Sequence, residues 1–242
     1  MATNALLNSV DHKNLKVITD RSAQYGDNVW FAMTFPAEFR SVQNYYPIFF
    51  QKDSKTGQFY AVALFGFEDK ENLFLTEQGW EAGYIPLSIQ RQPFAIAVQD
   101  VDENGEEKQQ RMLTIDMDNP RVSETQGEAL FKEYGGNTPY LDYMADMLEA
   151  LHHGVGDSAD FFHALTELDL IESVTVDLEL NNKSQHQLVG FYTIKEESLA
   201  TLTKDQLAGM HQKGYLQAIY MVMASQGNIR QLLSRKNKQL GL

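Results

Sequence analysis

Ile171-Glu172-Ser173-Val174-Thr175-Val176-Asp177-Leu178-Glu179-Leu180 is the stretch on which the fold turns. Val174, Val176, Leu178 and Leu180 alternate with polar residues, the period-two signature of a strand with one buried face. Leu188 to Ile194 reads as its antiparallel partner, joined through Asn181-Asn182-Lys183-Ser184. A hairpin this late in the chain, after a helical segment, points to an α+β fold rather than alternating βαβ units.

Upstream of it the spacing is helical. Tyr140, Met144, Met147, Leu148 and Leu151 recur at steps of three and four behind Thr138-Pro139, a helix start with proline at its first position. Gly154 and Gly156 predict a break, with a further helix over 160–168. Ser123 and Gln126 carry a capping-box pattern, and Gly135-Gly136 predicts the end of the helix that follows. The first half reads as strands. Aromatic-rich runs at 46–51 and 59–65 flank the turn-forming 52–57, and 93–101 and 108–117 flank an acidic loop, 102–107, containing Asn104-Gly105. Downstream of the late hairpin, Thr203 and Gln206 form a second capping box. Residues 215–236 then predict one terminal helix, with Leu216, Ile219, Tyr220, Met223, Leu232 and Leu233 on its apolar face. The expected architecture is α+β, with antiparallel β-hairpins in the N-terminal half packed with C-terminal amphipathic helices.

The 242 residues, 43% hydrophobic and 11% aromatic, have globular composition, and residues 1–242 are expected to form a single domain. The formal charge of −13 argues against a nucleic-acid partner, because phosphate binding needs a basic face. Five bases, Lys213, Arg230, Arg235, Lys236 and Lys238, lie in an acid-free terminal segment, 206–242. They fit either a helix packed on an acidic body or an anionic partner surface. No apolar run is long enough to span a bilayer, and the start lacks a basic region followed by an apolar one. Those two observations predict no transmembrane segment, no Sec-type signal peptide and a cytoplasmic location. The absence of cysteine removes disulfides and thiolate chemistry.

From Tyr46-Pro47-Ile48-Phe49-Phe50 onward the chain resembles the SapC family of bacterial proteins. The likeness continues through Asn72-Leu73-Phe74, Gly79-Trp80, Tyr84-Ile85-Pro86 and Arg91-Gln92-Pro93-Phe94. It runs on through Gly127-Glu128-Ala129-Leu130-Phe131, Leu188-Val189-Gly190-Phe191-Tyr192-Thr193-Ile194 and Met223-Ala224-Ser225-Gln226-Gly227, spanning about 10–238. It departs at Gln92, where an aromatic residue is expected before Pro93-Phe94. The resemblance implies an association with surface-layer gene loci, and hence a possible cell-surface role; it supplies no catalytic residues.

The densest recognition-like cluster is Trp80, Tyr84, Arg91 and Phe94, with Pro86 and Pro93 making the segment irregular. A guanidinium beside aromatic rings stacks on one and reaches a carboxylate with the other edge, which suits an acidic or peptide-like ligand. The same residues also suit a buried structural loop. His152, His153, Asp157, Asp160 and His163 are the residue types of a metal site, but they equally describe a solvated helix end, and no His-Glu-x-x-His spacing occurs. Ser225 lacks the first glycine of a Gly-x-Ser-x-Gly elbow, and no phosphate-binding glycine motif is present. The leading expectation is a non-enzymatic ligand- or partner-binding accessory protein with no cofactor and no metal. Its ligand, a small molecule, a peptide or a protein partner, would contact Trp80, Tyr84, Arg91 and Phe94. An enzyme using His152, His153, Asp157 and Arg91, and a surface-assembly protein, are the alternatives.

Overall fold

A computed structural model describes residues 3–103 and 106–242. Two compact units result, each built from two separate stretches. One comprises Met1–Asp27 and Leu87–His153, the other Asn28–Pro86 and Gly154–Leu242.

In the first unit, strand Phe94–Glu103 pairs antiparallel with Glu106–Asp116, from Phe94 opposite Ile115 to Glu103 opposite Glu106. Asn4–Leu6 adds to the far side of Glu106–Asp116. The expected hairpin is therefore present with longer strands, and the Asn104-Gly105 turn lies outside the described residues. A second small sheet places Lys16–Val17 between Val122–Ser123 and Glu128–Ala129. The helix expected after Ser123 does not form. Ser123 Oγ accepts from the N–H groups of Thr125 and Gln126, both at 3.1 Å, so the capping chemistry closes a turn instead. The physical reason lies at Gly127, whose φ is +100° and whose missing Cβ would sit 2.3 Å from the Val17 carbonyl oxygen. Helix geometry is incompatible with that backbone, and pairing with Lys16–Val17 satisfies it.

Helix Pro139–Glu167 starts where expected, with Thr138 Oγ1 accepting from Leu141 N at 3.3 Å. Its residues Leu141, Met144, Met147 and Leu148 are buried with Leu15, Val17, Phe94, Ile115 and Leu130 in one hydrophobic cluster, the core of the first unit. The helix does not break at Gly154 and Gly156, contrary to the sequence-based expectation. Within the second unit, the buried Phe35 ring rests directly on the helix backbone at Gly154. A Cβ there would lie 2.2 Å from Phe35 Cε2, so Gly154 makes room for a ring without interrupting the helix.

The second unit is built on a five-stranded antiparallel sheet in the order Ile171–Glu179, Gln185–Ile194, Ile48–Lys52, Phe59–Leu64, Phe31–Thr34. Both hairpins expected from the sequence are here. Ile48, Phe49 and Phe50 are buried in succession, as are Ala61 to Leu64, so both faces of the central strands are covered. Phe50 meets Phe162 of the long helix edge-on at 5.1 Å.

The chain ends in helices Glu196–Ala200, Lys204–Gln212, Tyr215–Ser225 and Asn228–Gln239. Lys204–Gln212 carries the expected reciprocal Thr203–Gln206 capping box. The terminal segment is two helices rather than one, and the joint between them explains why. Ser225 Oγ accepts from Ile48 N at 2.9 Å, Gln226 Nε2 donates to Ile48 O at 2.7 Å, and Asn228 Nδ2 donates to Gln43 O at 2.6 Å. Three side chains thus satisfy backbone groups leading into the central strand, and the helix bends to let them reach. Ala218, Ile219, Val222 and Leu232 are buried, while Leu216, Met223 and Leu233 of the expected apolar face are half-buried and Tyr220 is exposed.

The basic tail is partly consumed inside its own unit. Lys236 bonds Glu68 at 2.6 Å and also Glu71, while Arg235 pairs with Glu81 at 3.1 Å and lies 4.5 Å from the Phe74 ring centre. Among the described residues, no helix is long and apolar enough to cross a membrane.

Candidate functional site

The best-formed concavity in the second unit grows out of the Phe35–Gly154 contact. With Phe35 seated on the helix, Pro36 and Ala37 follow alongside it, and Arg40 comes from the short helix Phe39–Val42. Opposite, helix Lys204–Gln212 ends and the chain turns through Lys213 and Gly214, whose φ is 74°. Helix Tyr215–Ser225 then begins with no side-chain cap and no acid in its first turn. Asp157 and Phe161 of the long helix form the floor with Ala218 and Met221. The half-open space is about 300 Å³, the small end of ligand cavities.

Its electrostatics are asymmetric. Arg40 and Lys213 stand exposed at the rim, and Lys213 Nζ lies 5.7 Å from the centre of the Tyr215 ring. The Tyr215 ring in turn meets Phe161 edge-on at 5.4 Å. Burial, followed by the carboxylates of Asp160 and Asp157, pushes the Tyr215 phenol above its ordinary range. It therefore stays a neutral hydrogen-bond donor and acceptor. Two cations beside the unpaired N–H end of a helix favour an anionic group, and Phe161, Ala218 and Met221 favour an apolar body behind it.

The residues expected from sequence to form the site are divided between the two units. In the second, Trp80 Nε1 donates to Tyr46 Oη at 2.8 Å, Tyr46 Oη donates to the Tyr84 carbonyl at 2.5 Å, and Tyr84 Oη donates to Glu38 at 2.8 Å. Thr34 Oγ1 donates to the other Glu38 oxygen at 2.7 Å. The buried Tyr46 ring packs edge-on against Phe65 and Phe74, and burial raises its phenol far above the usual range. Trp80 and Tyr84 are thus tied into a polar thread around Tyr46. In the first unit, Phe94 is fully buried in the core, and Arg91 Nη1 donates to the Phe94 carbonyl at 2.9 Å. Burial lowers the Arg91 pKa.

His153 and Arg111, the latter from strand Glu106–Asp116, both meet Glu149, at 3.6 and 2.9 Å, and His163 meets Glu167 at 3.4 Å, all at solvent-exposed positions. Among the described residues, no group of three or more His, Asp or Glu side chains is arranged to hold a metal. Asp157 alone of that set lines the cavity. Sequence reasoning missed Arg40 and Tyr215, and placed Lys213 only among the bases of the terminal segment. The available signal was slight, a glycine after a helix flanked by a cation and an aromatic residue.

Most of the stretches that carry the family likeness lie in the second unit, with residues 91–94 and 127–131 in the first. Tyr46-Pro47-Ile48 receives Ser225-Gln226 through hydrogen bonds, and packs with Phe74 and Trp80. No curated protein and no solved structure matches the chain. The SapC family matches residues 7–232, running through both units, and the chain belongs to that family.

Proposed function

We propose that the chain is a non-catalytic binding protein. Its second unit takes a small ligand with an anionic head, carboxylate or phosphate, and an apolar or aromatic body. The observation that carries this is the convergence of Arg40, Lys213 and an uncapped helix start on one cavity floored by Phe161, in a protein of net charge −13. The lining offers charge, a phenol and an apolar wall, which bind and orient.

Calorimetric titration with a panel of aromatic carboxylates and phosphate monoesters tests it. Binding should weaken at least tenfold in Arg40→Ala and in Lys213→Ala, about 1.4 kcal/mol each, with melting unchanged. Equal affinity of the variants and the parent would remove the reading.

A second reading keeps Arg91, in the first unit, as a partner-contacting residue. It is favoured by Arg91, a largely desolvated guanidinium that donates to the carbonyl of its neighbour Phe94. Arg91→Ala that loses partner binding at unchanged melting supports it, whereas unfolding returns Arg91 to a structural role.

A further inference from the structure

The five-stranded sheet of the second unit ends at strand Ile171–Glu179, which pairs with Gln185–Ile194 on one side only. Among the described residues, no main-chain N–H or C=O of 171–179 bonds to a helix, loop or side chain on the other side. The edge is open, with alternate donors and acceptors facing outward. Edges are often blunted by a bulge. Here the register shifts between Val174 and Val176, opposite Phe191 and Leu188, so the extra residue belongs to the inner strand and the open one stays unbulged.

A groove of about 560 Å³ runs along this edge. Val174, Thr175, Val176 and Asp177 line it in succession. Successive strand residues point to opposite faces, so the groove follows the rim of the sheet rather than one face of it. Phe49, Ile194, Met223 and Ile229 give it an apolar floor. Glu172, Asp177, Glu196 and Glu197 stand exposed around it, and no lysine, arginine or histidine lines it among the described residues. Lys195, next along the chain, is bonded to Asp169, with Glu172 and Glu197 acting on it at longer range. Asp177 accepts from Gln187 Nε2 at 2.8 Å, a neutral partner that leaves its charge uncompensated.

A rim of one sign selects the occupant. A second copy of the strand would set carboxylate against carboxylate, which is repulsive, whereas a cationic strand is attracted. We propose that strand Ile171–Glu179 accepts an extended basic segment of another protein as an added strand. Main-chain bonds would form along the open edge, with alternate apolar side chains in the groove and lysine or arginine on the four carboxylates. This surface shares no lining residue with the Arg40–Lys213 cavity.

The probe is a fluorescein-labelled peptide alternating valine and lysine, nine residues long to match the strand, titrated against full-length protein by fluorescence anisotropy. It should bind, and its counterpart alternating valine and glutamate should not. The combined variant Glu172→Gln, Glu196→Gln, Glu197→Gln, at three exposed positions, should melt as the parent does and bind about tenfold more weakly. N-methylating one alternate set of peptide amides should abolish binding and N-methylating the other should spare it, because only one set faces the edge. Absence of binding, equal affinity for the two peptides, unchanged affinity in the variant, or equal effects of the two methylations overturns the proposal. So does a dimer of the protein that the glutamine variant strengthens, which would assign the edge to a second copy.

Discussion

Replacing Gly154 by alanine should destabilise the second unit, although alanine is the better helix former. Propensity alone predicts a gain of about 1 kcal/mol from Gly to Ala inside a helix. At Gly154 the new methyl carbon would lie 2.2, 2.3 and 2.8 Å from three atoms of the Phe35 ring, which is 3% exposed and has little room to yield. Overpacking of this kind costs ~1–3 kcal/mol, and an overlap of more than 1 Å belongs at the upper end. The net expectation is a loss of about 2 kcal/mol. Gly156, two residues on in the same helix, has nothing within 4 Å of its would-be Cβ, so Gly156→Ala should gain the propensity term of about 1 kcal/mol. Urea denaturation followed by tryptophan fluorescence is the appropriate assay, because both tryptophans, Trp30 and Trp80, belong to the second unit. In a Phe35→Ala background the sign at Gly154 should reverse. The reasoning fails if Gly154→Ala stabilises as much as Gly156→Ala, or if removing the Phe35 ring leaves its effect unchanged.

Ser225→Ala should cost ~1–3 kcal/mol in the same urea assay by stranding the buried Ile48 N–H, with Asn228→Ala costing a similar amount through Gln43. Lys236→Met should destabilise by about 3 kcal/mol at neutral pH, since it leaves the nearly buried Glu71 carboxylate uncompensated. The difference should shrink in acid. The hydrogen bond from Lys236 holds the Glu68 carboxyl below its ordinary 4.5, so that stabilisation is present above 4.5 and fades as pH falls below it. Tyr140→Phe should remove one late-titrating phenol from the phenolate absorbance curve. It should also flatten the alkaline fall in stability between pH 10 and about 12, where the unfolded phenol ionises and the folded one resists. A titration curve unchanged by the substitution would count against that environment for Tyr140.

Much of the fold was legible because its signals are local. Alternation at Val174, Val176 and Leu178, the three-four spacing of Met144, Met147 and Leu148, and the Thr203–Gln206 capping box each depend on a few adjacent residues, and each is present. The misreadings share one cause: a contact distant in sequence reversed a local preference. Phe35 turns Gly154 from a helix breaker into a seat for a ring, and Val17 turns the Ser123 cap into a turn between strands. The polar joint at Ser225 to Asn228 divides a helix that hydropathy alone would run straight through. The crossings between the two units lie beside Gly26, Pro86 and Gly154, isolated residues that do not by themselves mark a linker. The cavity was missed for a related reason. Arg40, Asp157 and Lys213 are unremarkable surface charges until two helices and the turn that follows a third bring them together.

The interleaving of the two units has a consequence for synthesis on the ribosome. The first 27 residues emerge before residue 87, so strand Lys16–Val17 waits for Val122–Ser123 and Glu128–Ala129 before it has neighbours. Residues 28–86 wait longer still, until Gln185–Ile194 can add beside Ile48–Lys52 through the pairing of Tyr192 with Phe50. Closing intervals of this length adds little entropy cost once both ends exist, so the delay is one of timing rather than of final stability. It leaves the aromatic strands Ile48–Lys52 and Phe59–Leu64 as a nascent three-stranded ribbon with Phe31–Thr34, the interval in which a chaperone or a second nascent chain would find them.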